Sequence, residues 1–87
     1  MHERALMIDL LAEIERVGRT EHARRVTRID VRLGALSHFT PEHFREHFVD
    51  ASRGTLAEGA VVRATLDGDR ADARAAGVVL ESIEVES

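Results

Sequence analysis

Residues 26–33 read Val-Thr-Arg-Ile-Asp-Val-Arg-Leu, and charged and apolar side chains alternate strictly from Arg28 to Leu33. Three apolar side chains share one side of the pattern, Ile29, Val31 and Leu33, and three charged ones share the other, Arg28, Asp30 and Arg32. Because successive side chains of a strand point to opposite faces, this period of two predicts a β-strand with one buried and one solvated face. Gly34 ends the pattern.

The segment before this strand has the spacing of an amphipathic helix. Within residues 4–17, apolar side chains recur every three or four positions, at Leu6, Leu10, Ile14 and Val17. Gly18 is the predicted end of this helix, because glycine commonly follows the last periodic residue. The polar residues 19–25 then form a connector, in which His22 is predicted to be a solvated loop residue.

A second helix follows the strand. Thr40 is a good N-terminal cap, and Pro41 suits the first helical position. The helix is predicted to run to about Ser52, with Gly54 as its stop. Its predicted buried side chains are Phe44, Phe48 and Ala51.

Two further strands complete the predicted fold. Residues 60–66 alternate, with Ala60, Val62, Ala64 and Leu66 on one side. The last strand spans about 78–86, where Val79, Ile83 and Val85 share a face with Glu81, which indicates a strand end or a bulge near Glu81. Residues 67–77 are polar and are predicted to be the tip of a hairpin between these two strands.

The predicted fold class is therefore α/β (α+β), in the order α-β-α-β-β. Two helices are expected to pack on one face of a three-stranded mixed β-sheet, and a right-handed parallel crossover joins the first two strands if they pair. At 87 residues, the chain has the size of one small domain, spanning residues 1–87.

Composition excludes several function classes. The chain has no cysteine, so a thiolate metal site and a disulfide framework cannot form. Its net charge of −4 argues against nucleic acid as the main partner, because phosphate binding depends on basic patches. No apolar run reaches the length of a membrane span, and the start lacks the pattern of a secretion signal. The expected location is therefore cytoplasmic.

Met1-His2-Glu3 runs directly into the first predicted helix. The α-amino group of Met1, the amide nitrogen of His2 and the His2 imidazole can close two fused chelate rings on one metal ion. A nitrogen-rich planar set favours Ni²⁺ or Cu²⁺ in square-planar geometry. The positive end of the helix dipole disfavours a cation, and Glu3 is an acid that compensates for it. The alternative is a disordered terminal histidine without a function.

Six segments together resemble one known family. In chain order they are Met1-His2-Glu3, Arg25-Val26-Thr27-Arg28, Gly34-Ala35-Leu36-Ser37, Pro41-Glu42, residues 54–60 and Ser82-Ile83-Glu84-Val85. Their order and spacing resemble the HypA/HybF nickel metallochaperones of hydrogenase maturation, over nearly the whole chain. The resemblance implies a Ni(II) site made of the N-terminal amine, the adjacent amides and the second-position imidazole, here within Met1, His2 and Glu3.

The chain departs from that family at several positions. Family members carry a zinc domain with two Cys-x-x-Cys pairs between the last two strands, where this chain has a short loop, residues 67–77, without cysteine or histidine. No structural zinc is therefore expected. Ala35 and Thr40 stand where the family often has acids near the metal, and His38 stands where a small residue is usual. His38 is an additional candidate nickel ligand, with an exposed loop residue as the alternative.

His43 and His47 lie four residues apart on the second predicted helix, so they share a face. That spacing is typical of two-histidine metal clamps. The alternative is a solvated polar stripe beside Phe44 and Phe48.

The resemblance implies a carrier that delivers Ni(II) to the precursor of a nickel enzyme such as NiFe hydrogenase. The implied partners are a GTPase accessory protein and that precursor, with urease accessory proteins as further candidates; a homodimer is compatible with the sequence. No catalytic constellation is visible, so the protein is not expected to be an enzyme. Two alternatives remain open: a partner-binding module without metal transfer, and a general Ni/Cu buffer that also uses His38, His43 and His47.

Overall fold

The computed structural model describes residues 2–34, 39–68 and 77–87, with side chains from Arg4 onward in the first range. Its elements are helix α1, His2–Thr20, strand β1, Arg25–Leu33, helix α2, Pro41–Ala51, strand β2, Val61–Leu66, and strand β3, Val78–Glu86. The predicted order of two helices and three strands is confirmed. In the described part of the chain, neither helix is long and apolar enough to cross a membrane.

β1 is the central strand of a three-stranded sheet with the order β2-β1-β3. β2 pairs with it in parallel, from Arg28 opposite Val61 to Leu33 opposite Leu66. β3 pairs with it antiparallel, so the predicted mixed sheet is confirmed. The predicted hairpin of the last two strands is wrong, because β2 and β3 lie on opposite edges of β1. Alternation identifies a strand and its faces, but it does not identify the neighbour.

Both helices contribute side chains to one core cluster on the sheet. The largest fully buried side chains in it are Phe44, Phe48, Ile14, Ile29, Leu33, Val26 and Val31. On the opposite face of β1, Arg28, Asp30 and Arg32 are only half-buried. The predicted placement of both helices on one face of the sheet is thereby confirmed.

The edges of the core differ from the prediction. Leu66 is 56% exposed at the end of the edge strand β2, and Ala51 is exposed, so neither belongs to the core. Ser52 is buried instead, at 1% exposure. It ends α2, and its backbone N–H donates to Phe48 O at 2.9 Å. The Thr55 hydroxyl donates to Ser52 O at 2.6 Å, so these buried polar groups are satisfied within the turn.

β3 contains the bulge predicted near Glu81. Asp30 lies opposite Ser82 whereas Val31 lies opposite Leu80, so Glu81 is the extra residue. The bulge shifts the alternation by one position, and Leu80 and Ile83 therefore both pack against the core. The prediction that Val79 shares the face of Ile83 is wrong for this reason, since Val79 lies opposite Arg32.

α1 ends at Thr20, three residues after the predicted range 4–17, and Gly18 does not end it. Gly18 lies inside the helix at a close contact, where an added Cβ would approach Leu56 Cδ1 to 3.2 Å. The end is formed by His22, which has a left-handed φ of 55°. Ala23 N donates to Gly18 O at 2.9 Å and His22 N donates to Arg19 O at 3.1 Å, which is the hydrogen-bond pattern of a Schellman motif.

Asp30, on the solvated face of the sheet, accepts hydrogen bonds from Arg28 and Ser82. The Arg28 guanidinium donates to Asp30 Oδ1 at 3.2 Å and 3.3 Å, and the Ser82 hydroxyl donates to Asp30 Oδ2. The hydrogen bond from Ser82, with Arg28 adding to it, holds the pKa of Asp30 below its usual value. The hydrogen bond from Ser82 joins β3 to β1 beside the bulge, whereas Arg28 and Asp30 both lie on β1.

We expect Asp30 to make folding stability depend on pH in acid. Since its pKa is lower in the folded than in the unfolded chain, ionised Asp30 stabilises the fold above the unfolded pKa of about 3.9. That contribution is lost as pH falls through the lower folded pKa. Asp30→Asn should therefore lower the melting temperature at neutral pH and flatten its decline below about pH 5. Thermal unfolding followed by circular dichroism between acidic and neutral pH measures both effects.

Asp50→Asn is the matched control, because the Asp50 side chain is 78% exposed and pairs with Arg53 on the surface of α2. It should keep the pH profile of the unmodified protein. A profile of Asp30→Asn that runs parallel to that of the unmodified protein at every pH would contradict the assignment.

Candidate metal centre

The proposed nickel ligands lie at the start of α1. The helix begins at His2, so the backbone of His2 and Glu3 belongs to its first turn. Met1 and the side chains of His2 and Glu3 lie outside the described residues, and so does His38. The assembly of these four residues into one site therefore stays a prediction, and the structure describes the framework around it.

The first turn of α1 has a useful chemical property. The first four N–H groups of an α-helix have no acceptor within the helix. The amides of His2 and Glu3 are in that position because α1 begins at His2. A metal can therefore bind a deprotonated amide nitrogen there without breaking a helical hydrogen bond. An amidate is also anionic, and the positive end of the helix dipole stabilises a negative charge.

The first turns of α1 border α2 across an open groove of about 460 Å³. The residues that line it from α1 are Arg4, Met7, Ile8 and Leu11, and those from α2 are His47, Asp50 and Ala51. Met7 is buried at its floor, whereas Ile8 is 57% exposed. His47 on α2 therefore lies across the groove from the first turns of α1.

Phe39 is a component of this region that periodicity did not reveal. It follows the loop directly and is only 4% exposed. Its ring meets Phe44 edge-to-face at 5.5 Å between ring centroids, and it lies 6.0 Å from the ring of His43 and 6.3 Å from that of His47. Phe39 thus packs against the start of α2.

His43 and His47 converge on each other. Their Nε2 atoms are 2.8 Å apart, and the ring centroids are 4.5 Å apart with an angle of 68° between the planes. His43 is half-buried and His47 is exposed. The spacing predicted that the two side chains share a face, and the structure brings their nitrogens within hydrogen-bond distance. Among the described residues, no group of three or more histidines and acids is placed to hold a metal ion.

The start of α2 is fixed by the predicted cap. Thr40 has an extended backbone, φ −92° and ψ 158°, and its hydroxyl accepts a hydrogen bond from His43 N at 3.1 Å. Pro41 takes the first helical position, as predicted. The cap holds the backbone of His43 directly, so it also positions the imidazole pair. Aspartate caps as well as threonine does, so an acid here would serve the same structural role.

Residues 1–82 match the family model described as hydrogenase/urease nickel incorporation, metallochaperone, hypA. The chain belongs to the HypA family. This family comprises maturation factors and metallochaperones for nickel, which confirms the resemblance that the sequence segments indicated.

Named relatives show how much of a HypA protein the chain represents. The hydrogenase maturation factor HypA of Methylocella silvestris is 45% identical over 60 residues, which cover 69% of this chain and 53% of that protein. HypA of Archaeoglobus fulgidus is 35% identical over 74 residues, which cover 85% of this chain and 66% of that protein. The chain spans about half the length of relatives such as the first.

A solved structure has the same fold. The solution structure of the Ni metallochaperone HypA from Helicobacter pylori superposes with a TM-score of 0.81 at 16% sequence identity. The match covers 100% of this chain and 99% of the other. At this identity the likeness establishes a common fold, that of two helices on a three-stranded mixed sheet.

We expect Thr40→Ala to destabilise the protein, because it removes the acceptor for His43 N. Loss of such a cap costs about 1 kcal/mol, which lowers the melting temperature of a domain this size by roughly 4–8 °C. Thr40→Ser retains the hydroxyl and should melt close to the unmodified protein. An unchanged melting temperature for Thr40→Ala, followed by circular dichroism, would contradict the role of the cap.

Proposed function

We propose that this chain binds Ni²⁺ through its first residues and passes the ion on during maturation of a nickel enzyme such as NiFe hydrogenase. The proposed ligands are the α-amino group of Met1, the His2 imidazole and the amide nitrogens of His2 and Glu3, with His38 as an additional imidazole. The match of residues 1–82 to a nickel-incorporation family carries the proposal. The start of α1 at His2 supports it, because the adjacent amides are free of helical hydrogen bonds.

A carrier must both hold its ion and release it. α1 is anchored in its middle, where Leu10 and Ile14 are buried, while Arg4 near its start is exposed. A ligand set at the exposed end can therefore open without disturbing the core. The role we propose is transport of the ion without catalysis. Its partners would be a GTPase accessory protein and a nickel-enzyme precursor in the cytoplasm, with urease accessory proteins as further candidates.

We also propose that this chain folds without structural zinc. It contains no cysteine, and residues 67–77 contain no histidine. The described core is built from side chains of both helices and all three strands. Metal-free protein should therefore remain folded, as a carrier requires if it is to be reloaded. Nickel would then stabilise a finished fold by mass action.

We expect Ni²⁺ affinity at the terminal site to depend on a free α-amino group. A Gly-Ser extension before Met1 moves the amine away from the imidazole, and His2→Ala removes the imidazole. Either change should weaken binding of the first ion by more than about tenfold, since the fused chelate can no longer close. Calorimetric titration of metal-free, untagged protein with Ni²⁺ measures this, with circular dichroism as the test of folding.

His22→Asn is the control, because His22 is exposed at the far end of α1 and asparagine tolerates its left-handed backbone. It should bind as tightly as the unmodified protein. Equal Ni²⁺ affinity in the extended protein would contradict the proposed terminal site. An absence of any nickel binding would favour the alternative function, a partner-binding module without metal transfer.

A further inference from the structure

We propose that His43 and His47 form a second metal site, on α2, that holds Ni²⁺ or Cu²⁺ through both imidazole Nε2 atoms. Its two ligands are not among those that we propose for the terminal chelate.

The separation of the two nitrogens fits one ion. Metal–imidazole bonds are about 2.0–2.1 Å long. Two such bonds at the right angle of a square-planar ion place their nitrogens about 2.8–3.0 Å apart, whereas a tetrahedral ion places them about 3.3–3.4 Å apart. The Nε2 atoms of His43 and His47 are 2.8 Å apart. The two nitrogens are therefore close enough to bind one ion, and imidazole ligands suit Ni²⁺ and Cu²⁺.

The two rings are held in position before a metal arrives. Phe39 is buried and lies against both imidazoles, and its own ring packs edge-to-face on Phe44. The helix below is capped at Thr40, so the backbone under His43 is fixed as well. Little conformational freedom remains to be lost on binding, which favours association.

The pair is also accessible, and its coordination shell is incomplete. His47 is exposed and lines the groove between the helices. Asp50 lines the same groove one turn further along α2, where it pairs with Arg53 at 3.4 Å. Two imidazoles fill two of the four positions of a square-planar ion, and the other positions are open to further ligands.

In the metal-free protein, the two imidazoles share a hydrogen bond. At 2.8 Å, one Nε2 carries a proton and donates it to the other, whose own ring proton is on Nδ1. A metal needs the lone pairs of both Nε2 atoms. The donor ring must therefore move its proton from Nε2 to Nδ1 through exchange with water, and the number of protons on the neutral pair does not change.

Ni²⁺ titration of four proteins tests the site. They are the unmodified chain, the chain with the Gly-Ser extension, His43→Gln/His47→Gln, and the combination of both changes. The numbers of bound ions that we expect are two, one, one and none. In the extended chain, His47→Gln alone should weaken the remaining ion by more than about tenfold, because one imidazole cannot chelate. This variant changes an exposed side chain, so it keeps the test valid if the double variant loses stability. His22→Asn should retain two ions.

Titration of the extended chain distinguishes failure of this proposal from failure of the proposed function. If the extended chain binds no Ni²⁺ or Cu²⁺ while the unmodified chain binds one ion, the pair is only a hydrogen bond, and the terminal site stands. If it binds one ion that His47→Gln does not weaken, the second site lies elsewhere and this proposal fails. If the unmodified chain binds one ion that survives the extension but is lost in His43→Gln/His47→Gln, the terminal site fails and the pair stands.

Discussion

The rest of the fold depends on hydrogen bonding along both edges of β1, which holds the other two strands of the sheet. β2 lies on one edge in parallel and β3 on the other edge antiparallel. Parallel neighbours require the chain to return from one end of the sheet to the other, and α2 lies in that connection. Phe44 and Phe48 attach α2 to the buried face of β1. His43 and His47 are thereby held at a defined place beside α1, although neither residue belongs to the core.

The elements that depend on neighbouring residues could be predicted from the sequence. The alternation of β1 and the Thr40 cap are local, because each is set by residues within a few positions. The partner of β3 depends on contacts distant in sequence, and alternation alone does not choose between β1 and β2. The predicted end of α1 was wrong because it also depends on a residue distant in sequence. Gly18 lies inside the helix, close to Leu56. The left-handed position that usually indicates glycine is occupied by His22.

The two proposed metal sites differ in the same way. The terminal chelate is contained in consecutive residues, so its chemistry can be predicted without a fold. For His43 and His47, the spacing predicts a shared face, but the convergence of their nitrogens depends on how the rings are braced. That bracing comes from Phe39, whose burial no periodic pattern indicates. Together, the proposed chelate at the start of α1 and the proposed zinc-free core would make a carrier that can be emptied and reloaded.

The most direct test of the central claim is the ligand shell of nickel itself. X-ray absorption at the nickel edge, on metal-free chain loaded with less than one equivalent of Ni²⁺, reports which atoms bind the tightest site. Nitrogen from the terminus and from an imidazole should dominate the shell, and blocking the α-amino group should change the spectrum. An oxygen-only shell, or a spectrum unaffected by the blocked amine, would contradict the account.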